Sequence, residues 1–221
     1  MKKNNFFVAL AIGSALLFLA LVALVETVDV KAIGPLGSSV GLSAVNGKVR
    51  DAIGYSKTLY SVAEILGYAA LASAAGFALL GLVQLIKRRS LKKIDKDLYL
   101  LGGFYVVVLA VYVLFEIIVI NERPVLMDGE LEASFPSSHT MLAICILSTA
   151  AHQLYVRLSS SKSARIVSVA LCVAFATLSV VCRLLSGVHW FTDIIGGILI
   201  SGALVFAYFF AYGKLFGAEE K

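Results

Sequence analysis

Six stretches of this 221-residue chain are long and apolar enough to cross a lipid bilayer, and no other feature restricts its fold as much. A helix rises about 1.5 Å per residue, so spanning the hydrocarbon takes roughly 20 residues. The runs extend from Phe6 to Val25, Val62 to Ile86, Leu98 to Ile120, Ser138 to Val156, Ile166 to Cys182 and Phe191 to Tyr212. Hydrocarbon offers no partner to backbone N–H and C=O groups, so runs of this kind close their hydrogen bonds internally, as helices. Hydrophobic residues make up 60% of the chain, above the roughly 45–50% of soluble domains. The expected fold is therefore all-α: a polytopic membrane protein with six transmembrane helices in one bundle, a single domain over 1–221.

The formal charge of +5 does not point to nucleic acid, because the basic residues sit in short clusters between apolar runs and so report topology. One side of the spans carries Lys2, Lys3, Lys87, Arg88, Arg89, Lys92, Lys93, Lys96, Arg157, Lys162, Arg165, Lys214 and Lys221. The other carries Lys31, Lys48, Arg50, Lys57, Arg123 and Arg183. The positive-inside rule puts the first side, with both termini, in the cytoplasm. Lys2 and Lys3 ahead of the first run resemble the start of a signal peptide. That run is too long for a signal core and no small-x-small cleavage site follows it, so we read it as a retained helix.

Residues 27–60 form the longest outer segment. "AIGPLGSSVG" has loop composition, and after it Leu42, Val45, Val49 and Ile53 recur at near-helical spacing. Either a short amphipathic helix on the membrane surface or an irregular cap over the bundle fits that pattern. Cys145, Cys172 and Cys182 have no paired spacing and predict neither a disulfide nor a zinc ribbon.

The span assignment uses no motif, yet it brings Arg123, His139, Arg183, His189 and Asp193 to one outer face. Of three histidines in the chain, two lie there; His152, near the other end of the fourth span, is expected to have no catalytic role. In "EASFPSSHTMLA", Pro136 suits a helix start and Ser137 or Ser138 can cap the fourth helix, whose free N–H groups then face an external anion. In "RLLSGVHWFTD", His189 and Asp193 are spaced i,i+4, so Asp193 can hold one imidazole nitrogen and leave the other free as nucleophile or base. Trp190 reads as an interfacial anchor. Arg123 and Arg183 add two guanidinium groups, whose forks match phosphate oxygens. Two histidines and a carboxylate can also hold zinc, but two adjacent arginines would repel the metal. The acidic residues Asp128, Glu130 and Glu132 read as a solvated loop.

In type and spacing these residues resemble the type 2 phosphatidic acid phosphatase superfamily of membrane lipid phosphatases, whose blocks are K-x6-R-P, P-S-G-H and S-R-x5-H-x3-D. The chain has "EIIVINERP" from Glu116 to Pro124, "PSSH" from Pro136 to His139 and "CRLLSGVHWFTD" from Cys182 to Asp193. The resemblance implies that His189 attacks phosphorus, that Asp193 orients its ring, and that His139 protonates the departing oxygen and then activates water. It further implies phosphate binding by Arg123, Ser137, Ser138 and Arg183, with no metal or other cofactor. Ser138 stands for the family glycine, Cys182 for a serine and Glu116 for a lysine. If the third helix continues to Arg123, Glu116 lies about 10 Å deeper, where a carboxylate needs a cation; it is expected to hold Arg123 or Arg183.

The expectation is an outward-facing lipid phosphatase of the cell membrane, acting on an isoprenyl pyrophosphate, phosphatidylglycerol phosphate or phosphatidic acid type of substrate. A lipid phosphotransferase would use the same site. A noncatalytic binder or transporter of anionic lipids is the alternative from another class.

Overall fold

The structure is a computed structural model that describes residues 2–217. Seven α-helices follow in order: α1 (Lys2–Thr27), α2 (Ser43–Ile53), α3 (Lys57–Arg88), α4 (Lys96–Ile117), α5 (Ser138–Arg157), α6 (Lys162–Leu185) and α7 (Phe191–Leu215). Among the described residues the extended structure is limited to isolated bridges. Serines begin three of the helices: the side chains of Ser56, Ser137 and Ser161 accept the backbone N–H of Leu59, Thr140 and Ala164.

Five of these helices, α1, α3, α4, α6 and α7, are long and apolar enough to cross a membrane. The expected fourth span, α5, falls short by composition, and its position in the bundle explains why. It packs against α3, α4, α6 and α7, so its polar groups meet protein rather than lipid. Tyr105 and Thr149 share a hydrogen bond of 3.1 Å, and Gln153 Nε2 donates to Tyr208 at 3.2 Å. A helix enclosed in this way has no need to be lipophilic all round.

The largest apolar cluster sits beside α5. Leu98, Leu101, Phe104 and Val108 form one stripe of α4 and meet Met141 and Cys145 of α5 and Val205 and Tyr208 of α7. α1 runs antiparallel to α7, and small residues set the approach. A Cβ on Gly202 would lie 3.1 Å from Ser14 Oγ, and one on Gly213 would lie 2.5 Å from Asn4.

The 27–60 segment contains a helix, but it does not lie on its apolar face. The residues of α2 that are buried are Ser43 and Asn46, while Val45 is exposed. Asp29 holds the start of α2, accepting from Ser43 Oγ at 2.9 Å and Ala44 N at 2.7 Å. Hydrogen bonds from Lys31, Ala44 and Ser43 pull the Asp29 carboxyl down to a pKa of about 2. Asn46 then clamps the start of α7: its Nδ2 donates to Thr192 Oγ1 at 3.0 Å and its Oδ1 accepts from Thr192 N at 3.2 Å.

Candidate active site

Two glycines of α7 decide how the site comes together. A Cβ on Gly197 would lie 2.9 Å from Ser137 O and from Thr140 Cβ, and one on Gly196 would lie 2.7 Å from the Phe135 ring. Without side chains there, the 134–137 segment lies directly on α7, and Ser137 N donates to the Asp193 carbonyl at 2.9 Å. Gly187, at φ +69°, does the same for the loop before His189: a Cβ would collide with Gly54 O.

His189 is 4% exposed, just ahead of α7. Its Nδ1 lies 3.4 Å from Asp193 Oδ2 and 3.2 Å from Ser134 Oγ. Ser134 Oγ donates in turn to the same Asp193 oxygen through a short contact, and Trp190 N donates to it at 2.8 Å. Asp193 thus stands beside Nδ1 at its i,i+4 spacing, and Ser134, which no motif flagged, links the two by hydrogen bonds. Nδ1–H donating toward Ser134 and Asp193 leaves Nε2 as the bare nitrogen, and Nε2 has no partner among the described residues. Burial, followed by the nearby Arg123, Arg183 and His139, pushes the His189 pKa well below the usual histidine value, so the ring is neutral.

Arg183 and His139 meet on the adjoining side of the site. Arg183, 1% exposed, donates Nη2 to His139 Nδ1 at 3.0 Å and Nη1 to Glu64 Oε1 at 2.7 Å. His139 Nε2 lies 2.9 Å from the same Glu64 oxygen. Guanidinium can only donate, so Nδ1 is the acceptor and Nε2 carries the proton. Glu64 lies on α3 outside all three sequence blocks, and nothing in its local sequence separates it from a stray charge in an apolar helix.

Arg123 comes from a short hairpin. Arg123 N donates to Glu132 O at 3.0 Å and Ser134 N donates to Asn121 O at 2.9 Å, with Asp128 and Gly129 turning the chain at positive φ. This pairing fixes Arg123 and Ser134 in one frame. The Arg123 side chain is buried, with Nε 3.0 Å from Glu132 Oε2, while Nη1 has no partner among the described residues. Glu132 thus belongs to an ion pair rather than to a merely solvated loop.

Other expectations are corrected. Glu116 holds neither arginine: Glu132 stands beside Arg123 and Glu64 beside Arg183. α4 stops at Ile117, so no helix continues to Arg123 and the depth computed along one does not apply. Glu116 is exposed and borders a small recess with Tyr112, Ser134 and Ser138. Trp190 is no interfacial anchor; it is buried and donates Nε1 to Glu122 O at 2.7 Å. Ser137 is fully buried as the cap of α5, with Oγ accepting from Thr140 N at 3.4 Å and its N–H given to Asp193, so only its hydroxyl proton is left for a ligand. Ser138 is half-buried at the first turn of the helix. Cys182 packs with Ala63 and Leu66 of α3, an apolar contact that a thiol suits better than a hydroxyl. His152 sits among aromatic rings, 4.3 Å from that of Tyr212.

The sequence profile of the PAP2 superfamily matches residues 120–216. Over that segment the chain resembles the PAP2 superfamily. The PAP2 match takes in Arg123, His139, Arg183, His189 and Asp193 and leaves out Glu64 and Glu116. The crystal structure of a transmembrane PAP2 type phosphatidylglycerolphosphate phosphatase from Bacillus subtilis has the same fold. Its TM-score is 0.62 at 21% identity, over 96% of this chain and 98% of that one. No curated protein matches the chain in sequence.

Proposed function

We propose that the protein is a membrane lipid phosphatase that hydrolyses a lipid phosphate or pyrophosphate through a phosphohistidine. The match of residues 120–216 to the PAP2 superfamily and the fold shared with a phosphatidylglycerolphosphate phosphatase support this reading. The observation that carries it is His189, a neutral buried imidazole held at Nδ1 and bare at Nε2, beside two buried arginines. His189 Nε2 attacks phosphorus while the bond to the lipid oxygen breaks, and His139 protonates that oxygen. His139 then takes a proton from water as the water oxygen bonds to phosphorus and the P–N bond opens. Arg123 and Arg183, with the Ser137 hydroxyl and the first turn of α5 at Ser138, hold the phosphoryl oxygens as charge spreads over them. No metal enters the reaction.

In this reading all six long helices, α5 included, span the membrane as one domain. Both termini are cytoplasmic, and the site faces outward at headgroup level. The basic residues on the side opposite the site support that orientation.

Phosphate release by purified protein from a panel of lipid phosphates tests the reaction. Brief exposure to labelled substrate followed by quenching is expected to leave acid-labile phosphate on the protein. Dependence of turnover on an added divalent cation would overturn the mechanism, and label retained on a lipid acceptor would make the protein a phosphotransferase. For orientation, a cysteine placed at Gly129 is expected to react with an impermeant thiol reagent in intact cells, and one at Ser160 to be shielded.

A further inference from the structure

Both ring nitrogens of His139 are occupied, Nδ1 by Arg183 and Nε2 by Glu64. A histidine held at both nitrogens cannot touch a departing oxygen, so one of the two contacts has to open. The partners differ in what a phosphate would do to them. An incoming phosphate attracts the Arg183 guanidinium and repels the Glu64 carboxylate. Arg183 is thus drawn from Nδ1 toward the phosphate, while Glu64 keeps its bond to Nε2–H.

We propose that Glu64 is the positioning carboxylate of His139, serving the acid as Asp193 serves the nucleophile. The assignment rests on the phosphatase reading above. With Nδ1 freed, the ring takes up a proton from solvent there and becomes an imidazolium whose Nε2–H faces a carboxylate. Nδ1–H gives its proton to the lipid oxygen as the P–O bond breaks. In the second step Nδ1 accepts a proton from the attacking water, while Glu64 remains ionised throughout.

The local packing supports a built arrangement. Tyr60, Glu64 and Gly67 share one face of α3 by their i,i+4 and i,i+3 spacing. The Tyr60 ring lies 5.2 Å from the Arg183 guanidinium carbon. A Cβ on Gly67 would be 3.5 Å from His139 Cδ2, so α3 passes close to the imidazole. Cys182 against Ala63 and Leu66 holds α3 to the helix that carries Arg183.

The test compares Glu64→Gln with the wild-type protein on a lipid phosphate, which has a poor leaving group, and on p-nitrophenyl phosphate, which has a good one. Phosphoenzyme formation from the lipid is expected to slow by about 10- to 100-fold, and from p-nitrophenyl phosphate by less than about 3-fold. Inhibition by inorganic phosphate is expected to stay within about 3-fold of the wild type. Adding Glu64→Gln to His139→Ala is expected to cost less than about 2-fold more, because the residue acts through the imidazole. Glu64→Asp keeps the charge and is expected to restore most of the lipid rate. Should Glu64→Gln not remain folded, Glu64→Asp carries the comparison, with a smaller loss confined to the lipid substrate. Equal losses on both substrates, or a parallel loss of phosphate affinity, would tie Glu64 to Arg183 alone and overturn the assignment. An unchanged lipid rate in an active protein would also overturn it and leave the phosphatase reading standing. A wild-type protein that releases phosphate from neither compound overturns both.

Discussion

Arg157 and Arg183 are both held by carboxylates from other helices, at opposite ends of the bundle, but the two ends use their arginines differently. At the end away from the site every donor group of Arg157 is engaged. Nε donates to Gln153 at 3.1 Å, Nη1 to Asp95 at 3.2 Å and Nη2 to Asp97 at 2.7 Å. Asp95 is itself crowded with donors. Burial alone would raise its pKa, but hydrogen bonds from Arg88, Gln84 and Arg157 prevail and lower it. At the site end Arg123 Nη1, Arg183 Nε and His189 Nε2 are buried without partners among the described residues. Leaving a buried donor or acceptor open costs about 1–3 kcal/mol, so a purely structural cluster tends toward the saturated form. The contrast separates Arg157, which joins helices with all three nitrogens engaged, from Arg123 and Arg183, which each keep a buried nitrogen open.

If this separation is right, substitutions at the site end change rates and substitutions at the far end change stability. The largest effect is expected from His189→Ala: turnover falls by about 10⁴-fold or more and the acid-labile phosphoenzyme disappears, while the melting temperature in detergent stays near wild type. His139→Ala comes next, with a loss of about 10²- to 10⁴-fold on lipid phosphates and a smaller one on p-nitrophenyl phosphate, measured as phosphoenzyme formation. Arg123→Ala is expected to lower kcat/KM by about 100-fold, the scale of one lost charge-stabilising donor. Its partner Glu132 is 48% exposed and is left in water, so thermal stability should hardly change. Arg157→Ala reverses the pattern: it strands Asp97 and takes one donor from Asp95, which keeps Arg88 and Gln84, and unfolding should become easier by about 2 kcal/mol with kcat unchanged. Loss of activity without loss of stability in that variant would break the comparison.

The smallest effect concerns pH. The folded-state pKa of His189 lies below its unfolded value, so its contribution to stability is complete above about pH 6.5 and is lost as pH falls toward the folded value. Between pH 7.5 and 5.5 the wild-type protein should lose about 1 kcal/mol more stability than His189→Ala, measured by thermal melts at each pH.

How far each part of the molecule could be read from sequence depends on whether its signal is local. Helices α1, α3, α4, α6 and α7 are each written in a continuous apolar run, and His189 and Asp193 in one i,i+4 spacing. The run of α5 reads in sequence as one more span. Its enclosure by four neighbours is a property of the bundle, and Thr149 and Gln153 show it only once Tyr105 and Tyr208 are beside them. For α2 the apolar row fits either a helix on the membrane surface or an irregular cap over the bundle. The contacts run instead through Ser43 and Asn46, because the groups to be satisfied there are the backbone of α7 and the Asp29 carboxylate.

Sequence by itself determined the helical class, the order of the apolar runs and the pairing of His189 with Asp193 along one helix face, since bilayer thickness and helical period act within a single segment. Tertiary structure alone decided the partners of the charges. Glu116 and Glu64 are both lone carboxylates in apolar runs, yet α4 ends beside the one and leaves it exposed, while α3 brings the other to Arg183 and His139. Ser134 reaches His189 and Asp193 because two glycines of α7 admit the neighbouring loop. A buried charge is stable only with a partner within a few ångströms, and that distance is measured across helices, where spacing along the chain carries no information.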